Sequence, residues 1–232
     1  KEVMGDEESE YKVQYLDAPD SEEPQEFNWL VRPGKAKVTY PGGHTFEGTF
    51  DGERMKQGYG VYVWMNPPND EEEVTQRAKY EGEYKDGKKH GTGKMEFPNG
   101  DIYHGMWENN QMHGEGTYTY KKTGDIFSGI FENNVKTGNG QYYFASDESQ
   151  FRGEWKDGTI EAGTWAMKGF ADYEGKFQKG RPIGEGKFTF ENSGIVQTGE
   201  YVVKKTGEEE EEAEEEEDAG PKEMEWKGKS IV

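Results

Sequence analysis

His90 and His113 are the first residues to consider for chemistry, because imidazole nitrogens bind zinc. Each directly precedes a Gly-x-Gly sequence, and the two occupy the same place in adjacent copies of a repeat. Strands two steps apart in a sheet lie roughly 10 Å apart, whereas one zinc ion needs both nitrogens within roughly 2.1 Å of it. We therefore expect these histidines to support turns, and we expect no metal site.

A second candidate is the segment 82–89, Gly-Glu-Tyr-Lys-Asp-Gly-Lys-Lys, which is one residue from a phosphate-loop signature. Lys89 stands where that signature needs a hydroxyl to bind magnesium. A strand followed by a hairpin turn is also predicted here, in place of the strand-to-helix transition of phosphate loops. We expect no nucleotide cofactor.

No set of residues with the spacing of a hydrolytic or zinc-dependent active site occurs in the sequence. There is no cysteine, and the many carboxylates are scattered along predicted strands and charged tails. Paired catalytic acids need an enclosing cleft that moves their pKa values apart, and a one-layer sheet offers little enclosure. The sequence indicates a protein that is not an enzyme and has no cofactor.

The elements that would position these residues form a short tandem repeat. The pattern Tyr80-x-Gly82-x-Tyr84 followed by Gly91-x-Gly93 returns after 23 residues. A fixed short period means one small unit stacked many times, so function should be sought on a long surface. The six copies begin at Phe46, Tyr80, Tyr103, Phe127, Phe151 and Tyr173, and a half-copy ends at Tyr201.

Within each copy, apolar residues and glycines alternate with polar ones, which predicts two short strands with one apolar face. Asp86-Gly87 and Asp157-Gly158 predict turns within copies, and Pro98-Asn99-Gly100 predicts a turn between copies. Each first strand has a glycine between two aromatic residues, so rings from neighbouring strands can lie over its bare backbone. The predicted fold is all-β: an extended, twisted, single-layer antiparallel sheet of tandem hairpins with acidic irregular termini.

Four segments are predicted. An acidic N-terminal extension spans 1–33, the repeat array spans 34–203 with a loop insertion at about 66–78, a Glu-rich linker spans 204–220, and a tail spans 221–232. The net charge is −20, of which residues 1–30 carry −8 and residues 208–218 carry −10. Acidic ends beside near-neutral repeats argue against nucleic acid and against an anionic membrane as main partners. The absence of cysteine, of a long apolar run and of a leader sequence favours a soluble intracellular protein.

The repeated Tyr-x-Gly-x-Trp/Tyr/Phe…Gly…His-Gly-x-Gly pattern resembles the MORN repeat, a β-hairpin unit of 23 residues. The run from Phe151 through Tyr173 and Phe177 to Tyr201 is further similar to the radial spoke head protein 1 family, which combines MORN repeats with Glu-rich ends. That resemblance implies a structural subunit of the radial spokes in the axoneme of motile cilia and flagella, with other radial spoke head proteins as partners. It leaves open another MORN-bearing axonemal subunit, and self-association as well.

Two docking modes are predicted for such partners. The first is an aromatic face left open by a single-layer sheet, since large exposed apolar patches usually mark binding surfaces; in the alternative, twist lets the rings cover one another. The second is strand addition at a free sheet end, after Tyr201 or before Val38. The predicted partner-binding face consists of Tyr80, Tyr103, Trp107, Phe127, Phe131, Phe151, Trp155, Tyr173 and Phe177.

Two other functions stay open. MORN arrays also occur in membrane-tethering or phosphoinositide-binding modules, which predict a basic stripe that this acidic chain does not show. They also occur as regulatory regions of kinases or methyltransferases, which would need a catalytic domain that is not in this sequence. The segments around Trp29 and Trp226 are apolar enough to anchor the ends of the array.

Overall fold

The computed structural model describes residues 11–17, 26–27, 30–69, 73–204 and 223–231. The acidic tract at 208–218 and Trp29 lie outside these ranges. Within them the chain forms 17 strands and no helix. The prediction of an all-β fold built from tandem antiparallel hairpins is therefore confirmed.

The strands follow one another with short connections. Their bounds are β1 Lys12–Tyr15, β2 Glu26–Phe27, β3 Gly34–Thr39, β4 Thr45–Phe50, β5 Lys56–Met65, β6 Gln76–Lys85, β7 Lys88–Glu96, β8 Ile102–Glu108, β9 Gln111–Thr119, β10 Ile126–Glu132, β11 Val135–Tyr143, β12 Gln150–Lys156, β13 Thr159–Met167, β14 Ala171–Gln178, β15 Arg181–Phe190, β16 Val196–Val203 and β17 Met224–Ile231.

The chain divides into two compact units. The first contains Lys1–Lys122 with Phe131–Asn134, and the second contains Thr123–Ile130 with Val135–Val232. In the first unit, each strand from β3 to β9 pairs antiparallel with its neighbour in sequence. In the second, β11 to β17 do the same.

Turn chemistry explains why the hairpins close where they do. The two residues between β6 and β7, Asp86 and Gly87, both have positive φ, as do Asp157 and Gly158 between β12 and β13. Two-residue turns of this kind match the twist of paired strands. The turns predicted at these two places are confirmed. Asn109-Asn110 and Asn133-Asn134 turn the chain in the same way, because asparagine tolerates positive φ.

Glycines pair with glycines across neighbouring strands. In the first unit the row runs through Gly48, Gly60, Gly82, Gly93, Gly105 and Gly116. In the second unit it runs through Gly140, Gly153, Gly163, Gly175, Gly186, Gly199 and Gly228. A strip without side chains therefore crosses each sheet.

Aromatic side chains fill much of that strip, with Gly153, Gly163 and Gly228 as exceptions. A Cβ placed on Gly105 or Gly116 would overlap the ring of Tyr103, and one placed on Gly82 or Gly93 would overlap that of Tyr80. Each ring thus lies over the glycine of its own strand and the glycine of the next strand. The prediction of rings over bare backbone is confirmed, but the prediction that neighbouring strands supply them is only partly right, because Tyr103 also lies over Gly105 of its own strand.

The prediction of free sheet ends after Tyr201 and before Val38 was wrong. β17 pairs with β16 and sets Trp226 opposite Tyr201, while β1 pairs with β3 and sets Val13 opposite Val38. Both terminal segments carry apolar residues that continue the alternation of the sheet, and pairing satisfies backbone groups of β16 and β3. Trp226 thereby anchors the end of the array, as its apolar segment indicated.

Candidate interaction surfaces

The nine aromatic residues predicted to form a partner-binding face are all buried. None of Tyr80, Tyr103, Trp107, Phe127, Phe131, Phe151, Trp155, Tyr173 and Phe177 is more than 8% exposed. The expectation of an open aromatic face is therefore corrected, because these rings cover one another and form the core.

Edge-to-face contacts produce this burial in the first unit. The Trp107 ring lies 5.4 Å from the Tyr80 ring and 5.2 Å from the Tyr103 ring, both nearly perpendicular to it. This geometry places the positive edge of one ring against the negative face of the next. The polar atoms are also satisfied: Trp107 Nε1 donates to the Gly93 carbonyl at 3.1 Å, and Tyr103 Oη donates to the Met106 carbonyl at 2.9 Å.

The second unit repeats the arrangement with fewer hydrogen bonds. The rings of Phe127 and Trp155 are 5.0 Å apart, and Trp155 Nε1 donates to the Gly140 carbonyl. Tyr173 contacts Phe177 edge to face at 5.7 Å. Within the described residues, however, the buried Tyr173 hydroxyl has no hydrogen-bond partner. Ring packing, more than hydroxyl bonding, holds this row together.

Three lysines extend their ammonium groups over these rings, a contact that was not predicted for any of them. Lys89 Nζ lies 4.0 Å from the centre of the Trp107 ring, and Lys136 Nζ lies 4.9 to 5.5 Å from three ring centres. Lys56 does the same with Tyr62 at 4.6 Å. Each stands two residues before the first glycine of a Gly-x-Gly, a spacing that could have identified them.

Burial of these lysines has a consequence for stability as a function of pH. Desolvation lowers the pKa of Lys89 to about 8, so above that pH the unfolded chain binds more protons at this position than the folded one. Stability contributed by this group must therefore rise with pH. We expect wild type to gain about 1 kcal/mol relative to Lys89→Met between about pH 7 and 9.5.

Urea unfolding of both proteins across that range measures the difference. Methionine is a suitable replacement, since Met112 occupies the equivalent place in the next hairpin. Lys56 and Lys136 are present in both proteins, so their contributions to the pH dependence cancel in the comparison. A difference that stays constant with pH would show that Lys89 is well solvated.

A carboxylate holds each of two hairpin junctions; Asp101 is buried and Asp125 is half-buried. Asp101 Oδ1 accepts from the Lys121 backbone N–H, and Asp101 Oδ2 accepts from the Tyr118 hydroxyl, both at 2.9 Å. Asp125 makes the same two contacts with Ala145 and Tyr142. Burial alone raises the pKa of Asp101, but the hydrogen bonds outweigh it, so the pKa is lowered. These carboxylates are structural clasps that accept hydrogen bonds from the following hairpin.

Replacing Asp101 with Asn should lower stability by about 1 to 2 kcal/mol at neutral pH, because an amide nitrogen must then face a donor. A lowered carboxyl pKa contributes stability that is present above its ordinary value of 3.8 and lost as pH falls through the folded value. The difference from wild type should therefore shrink below about pH 4. Urea unfolding from acid to neutral pH measures this, with Asp157→Asn in an exposed turn as the control. A difference in unfolding free energy that does not change with pH would contradict the role of the ionised Asp101 carboxylate in holding the junction.

In the described part of the second unit, an apolar cluster is exposed. Phe170 is 56% exposed, Ile195 43% and Ile231 68%, and together with Phe190 they line an open cavity of about 440 Å³. Phe170 stands three residues before the first ring of its repeat, where the other repeats carry glycine, arginine or glutamate. The rings of Phe170 and Phe190 meet edge to face at 5.7 Å. Exposed apolar side chains gathered around a cavity are typical of a docking surface.

The two other candidate sites have ordinary surroundings. The segment 82–89 runs through β6, a two-residue turn and β7, so no helix N-terminus faces a phosphate. His113 Nε2 lies 3.5 Å from Glu108 Oε2 at the surface. In the described ranges, no group of three or more potential metal ligands comes together, and no helix is long and apolar enough to cross a membrane.

Comparison with known proteins defines the class of repeat. The family model of the MORN repeat matches residues 55–66, 80–102, 103–124, 127–148 and 173–195. The chain therefore contains MORN repeats, and four of these matches start at or next to the ring that lies over the glycine row. The hairpin of β12 and β13 has no match; it lacks the Gly-x-Gly of its neighbours but keeps their pairing.

Among curated proteins, alsin from Rattus norvegicus is 30% identical to this chain over 83 residues. The match covers 36% of this chain and 5% of alsin. The chain therefore spans only a small part of the length of alsin. MORN repeats form protein-interaction or membrane-binding modules, and a β scaffold of this kind is typically non-catalytic.

Proposed function

We propose that this protein is a non-catalytic scaffold subunit of the radial spoke head, where it binds other radial spoke head proteins in the axoneme of motile cilia and flagella. Support comes from the repeats and from the similarity of residues 151–201 to the radial spoke head protein 1 family. The structure supports a scaffold because the aromatic rings are buried in the core of each unit, where a partner cannot contact them. What remains for partners is the outer surface.

The observation that carries the proposal is the exposed cluster around Phe170. It breaks the repeat pattern at one junction, where a large apolar ring replaces the glycine, arginine or glutamate found elsewhere. The core does not need this ring, since 56% of it faces solvent. An exposed aromatic side chain that the core does not need is suited to binding a partner.

Affinity capture from motile cilia tests the proposal. Tagged wild-type chain should co-purify with radial spoke subunits, and Phe170→Asp should lower their recovery at least about tenfold. The matched control is Tyr59→Asp, since Tyr59 is 60% exposed and lies in the other unit. Melting of the isolated Phe170→Asp protein should stay within about 2 °C of wild type.

Three outcomes would contradict the proposal. One is capture without radial spoke subunits, and another is equal recovery with both variants. The third is strong flotation with anionic vesicles at low salt, which would favour a membrane-binding module.

A further inference from the structure

Among the described residues, β17 lies at the edge of its sheet. On one side β17 pairs with β16, from Val203 opposite Met224 to Gln197 opposite Ile231. On its other side, the part of the chain that the structure describes supplies no strand. Such an edge presents N–H and C=O groups that another strand can pair with.

The charges along this edge are arranged symmetrically about Trp226. Glu223 and Glu225 precede it, and Lys227 and Lys229 follow it. Positions one and three residues away from Trp226 therefore carry opposite charges on its two sides. An antiparallel strand of the same sequence, centred on the same residue, would complement this pattern.

Strand geometry restricts how two such edges can meet. Directly opposite residues in an antiparallel pair lie on the same face of the sheet. Because side chains alternate between the two faces, a residue of one copy can lie opposite itself or a residue an even number of positions away in the other copy. The pairing is therefore centred on a residue and not between two residues. A pairing centred on Glu225 sets two glutamates opposite each other, and one centred on Lys227 sets two lysines opposite each other. Like charges in that position are destabilising. The pairing centred on Trp226 sets Glu225 opposite Lys227, twice by symmetry.

We propose that the β17 edge is a self-association site, at which a second copy of this chain pairs antiparallel about Trp226 and joins Glu225 of each copy to Lys227 of the other. Both side chains are exposed, and within the described residues neither has an ion-pair partner. Glu223 and Lys229 already contact Lys204, Glu185 and Glu200. The contact between Glu225 of one copy and Lys227 of the other therefore selects the register.

The other face of the strand fits the same register. Trp226 packs against Tyr201 at 5.2 Å and Phe188 at 4.9 Å, and in the dimer it meets Trp226 of the second copy. Met224 falls opposite Gly228, which repeats the pairing of a large side chain with bare backbone seen inside each sheet. β17 has one extra residue, Lys229, between the partners of Thr198 and Gly199. This bulge limits the regular pairing between two copies of β17 to about five residues.

Such a short contact buries less surface than a stable interface, which needs about 1,000 Å². The dimer should therefore be weak, forming in the micromolar range and strengthening at low salt, because its selecting contacts are exposed ion pairs. It does not depend on the proposed ciliary function.

Sedimentation velocity of the purified chain from about 1 to 300 μM tests the proposal, in the range expected of a small interface. Glu225→Lys alone, and Lys227→Glu alone, should each weaken the dimer about tenfold or more, because both symmetric pairs become like-charged. The double variant, which exchanges the two charges, should recover the wild-type affinity. A mixture of the two single variants should form a heterodimer that neither forms alone.

Lys122→Glu, an exposed charge reversal in the other unit, is the control and should leave the dimer unchanged. Unchanged melting of the single variants would show that they fold. A monomeric wild type at the highest concentration would overturn the proposal, because it would mean that the bulge and lysines protect this edge. Dimerisation that survives either single reversal, or that the double variant fails to recover, would overturn it too.

Discussion

Replacing Trp107 with Ala should lower the stability of the isolated protein by about 3 kcal/mol or more, the usual cost of emptying a buried aromatic site. The ring is 4% exposed and meets Tyr80 and Tyr103 edge to face. Its loss also leaves the Gly93 carbonyl without the indole N–H. Urea unfolding at neutral pH measures the change, and thermal melting should fall by roughly 6 to 12 °C.

Two further variants separate the core role from partner binding. Tyr59→Ala removes an exposed ring of similar size and should cost less than about 1 kcal/mol. Trp107→Phe keeps a ring but loses the indole hydrogen bond, so it should cost an intermediate amount. If Trp107→Ala changed stability by less than about 0.5 kcal/mol, the ring would be free, as the partner-binding interpretation requires.

Adding one methyl group at Gly116 should be almost as damaging as removing the indole. A Cβ there would lie 2.5 Å from Tyr103 Cε2 and would also overlap the hydroxyl. Tyr103 is completely buried and cannot swing away without breaking its bond to the Met106 carbonyl. We expect Gly116→Ala to cost about 3 kcal/mol, at the upper end of overpacking effects, as measured by urea unfolding.

The matched control is Gly52→Ala, since a Cβ on that turn glycine meets nothing within 4 Å. It should leave stability within about 0.5 kcal/mol of wild type. A double variant provides a sharper check, because Tyr103→Ala empties the space that the new methyl group would occupy. Gly116→Ala should then add little to the cost of Tyr103→Ala. Full additivity would show that the ring does not lie over this glycine.

The sequence was sufficient for the hairpins because local chemistry determines them. Asp86-Gly87 can only turn tightly, and the alternation around Tyr80 and Gly82 fixes which side chains share a face. Glycine between two rings also indicated a packing contact. These signals lie within a few residues of each other and do not depend on distant parts of the chain.

Accessibility was not predictable in the same way, because it depends on how neighbouring hairpins pack. Period-two patterns place Trp107 and Phe131 on the apolar face, but they do not tell whether rings of adjacent repeats meet at about 5 Å or stand apart. The lysine at position 89 was assigned to a phosphate-loop comparison, while its contact with Trp107 comes from the next hairpin. The apolar residues around Trp226 indicated an anchor, but not that β17 would pair with β16 across a long segment of charged residues.

Aromatic rings lie over the glycine rows and cover one another. Exchange of the indole N–H protons of Trp107 and Trp155 with solvent tests this arrangement most directly. Both donate to backbone carbonyls at 3.1 Å inside the row. In the isolated protein, NMR should show both protons exchanging at least about 100-fold more slowly than in the unfolded chain. Exchange at the unfolded rate for either indole, with the β-sheet amides still protected, would contradict a core in which the rings cover one another.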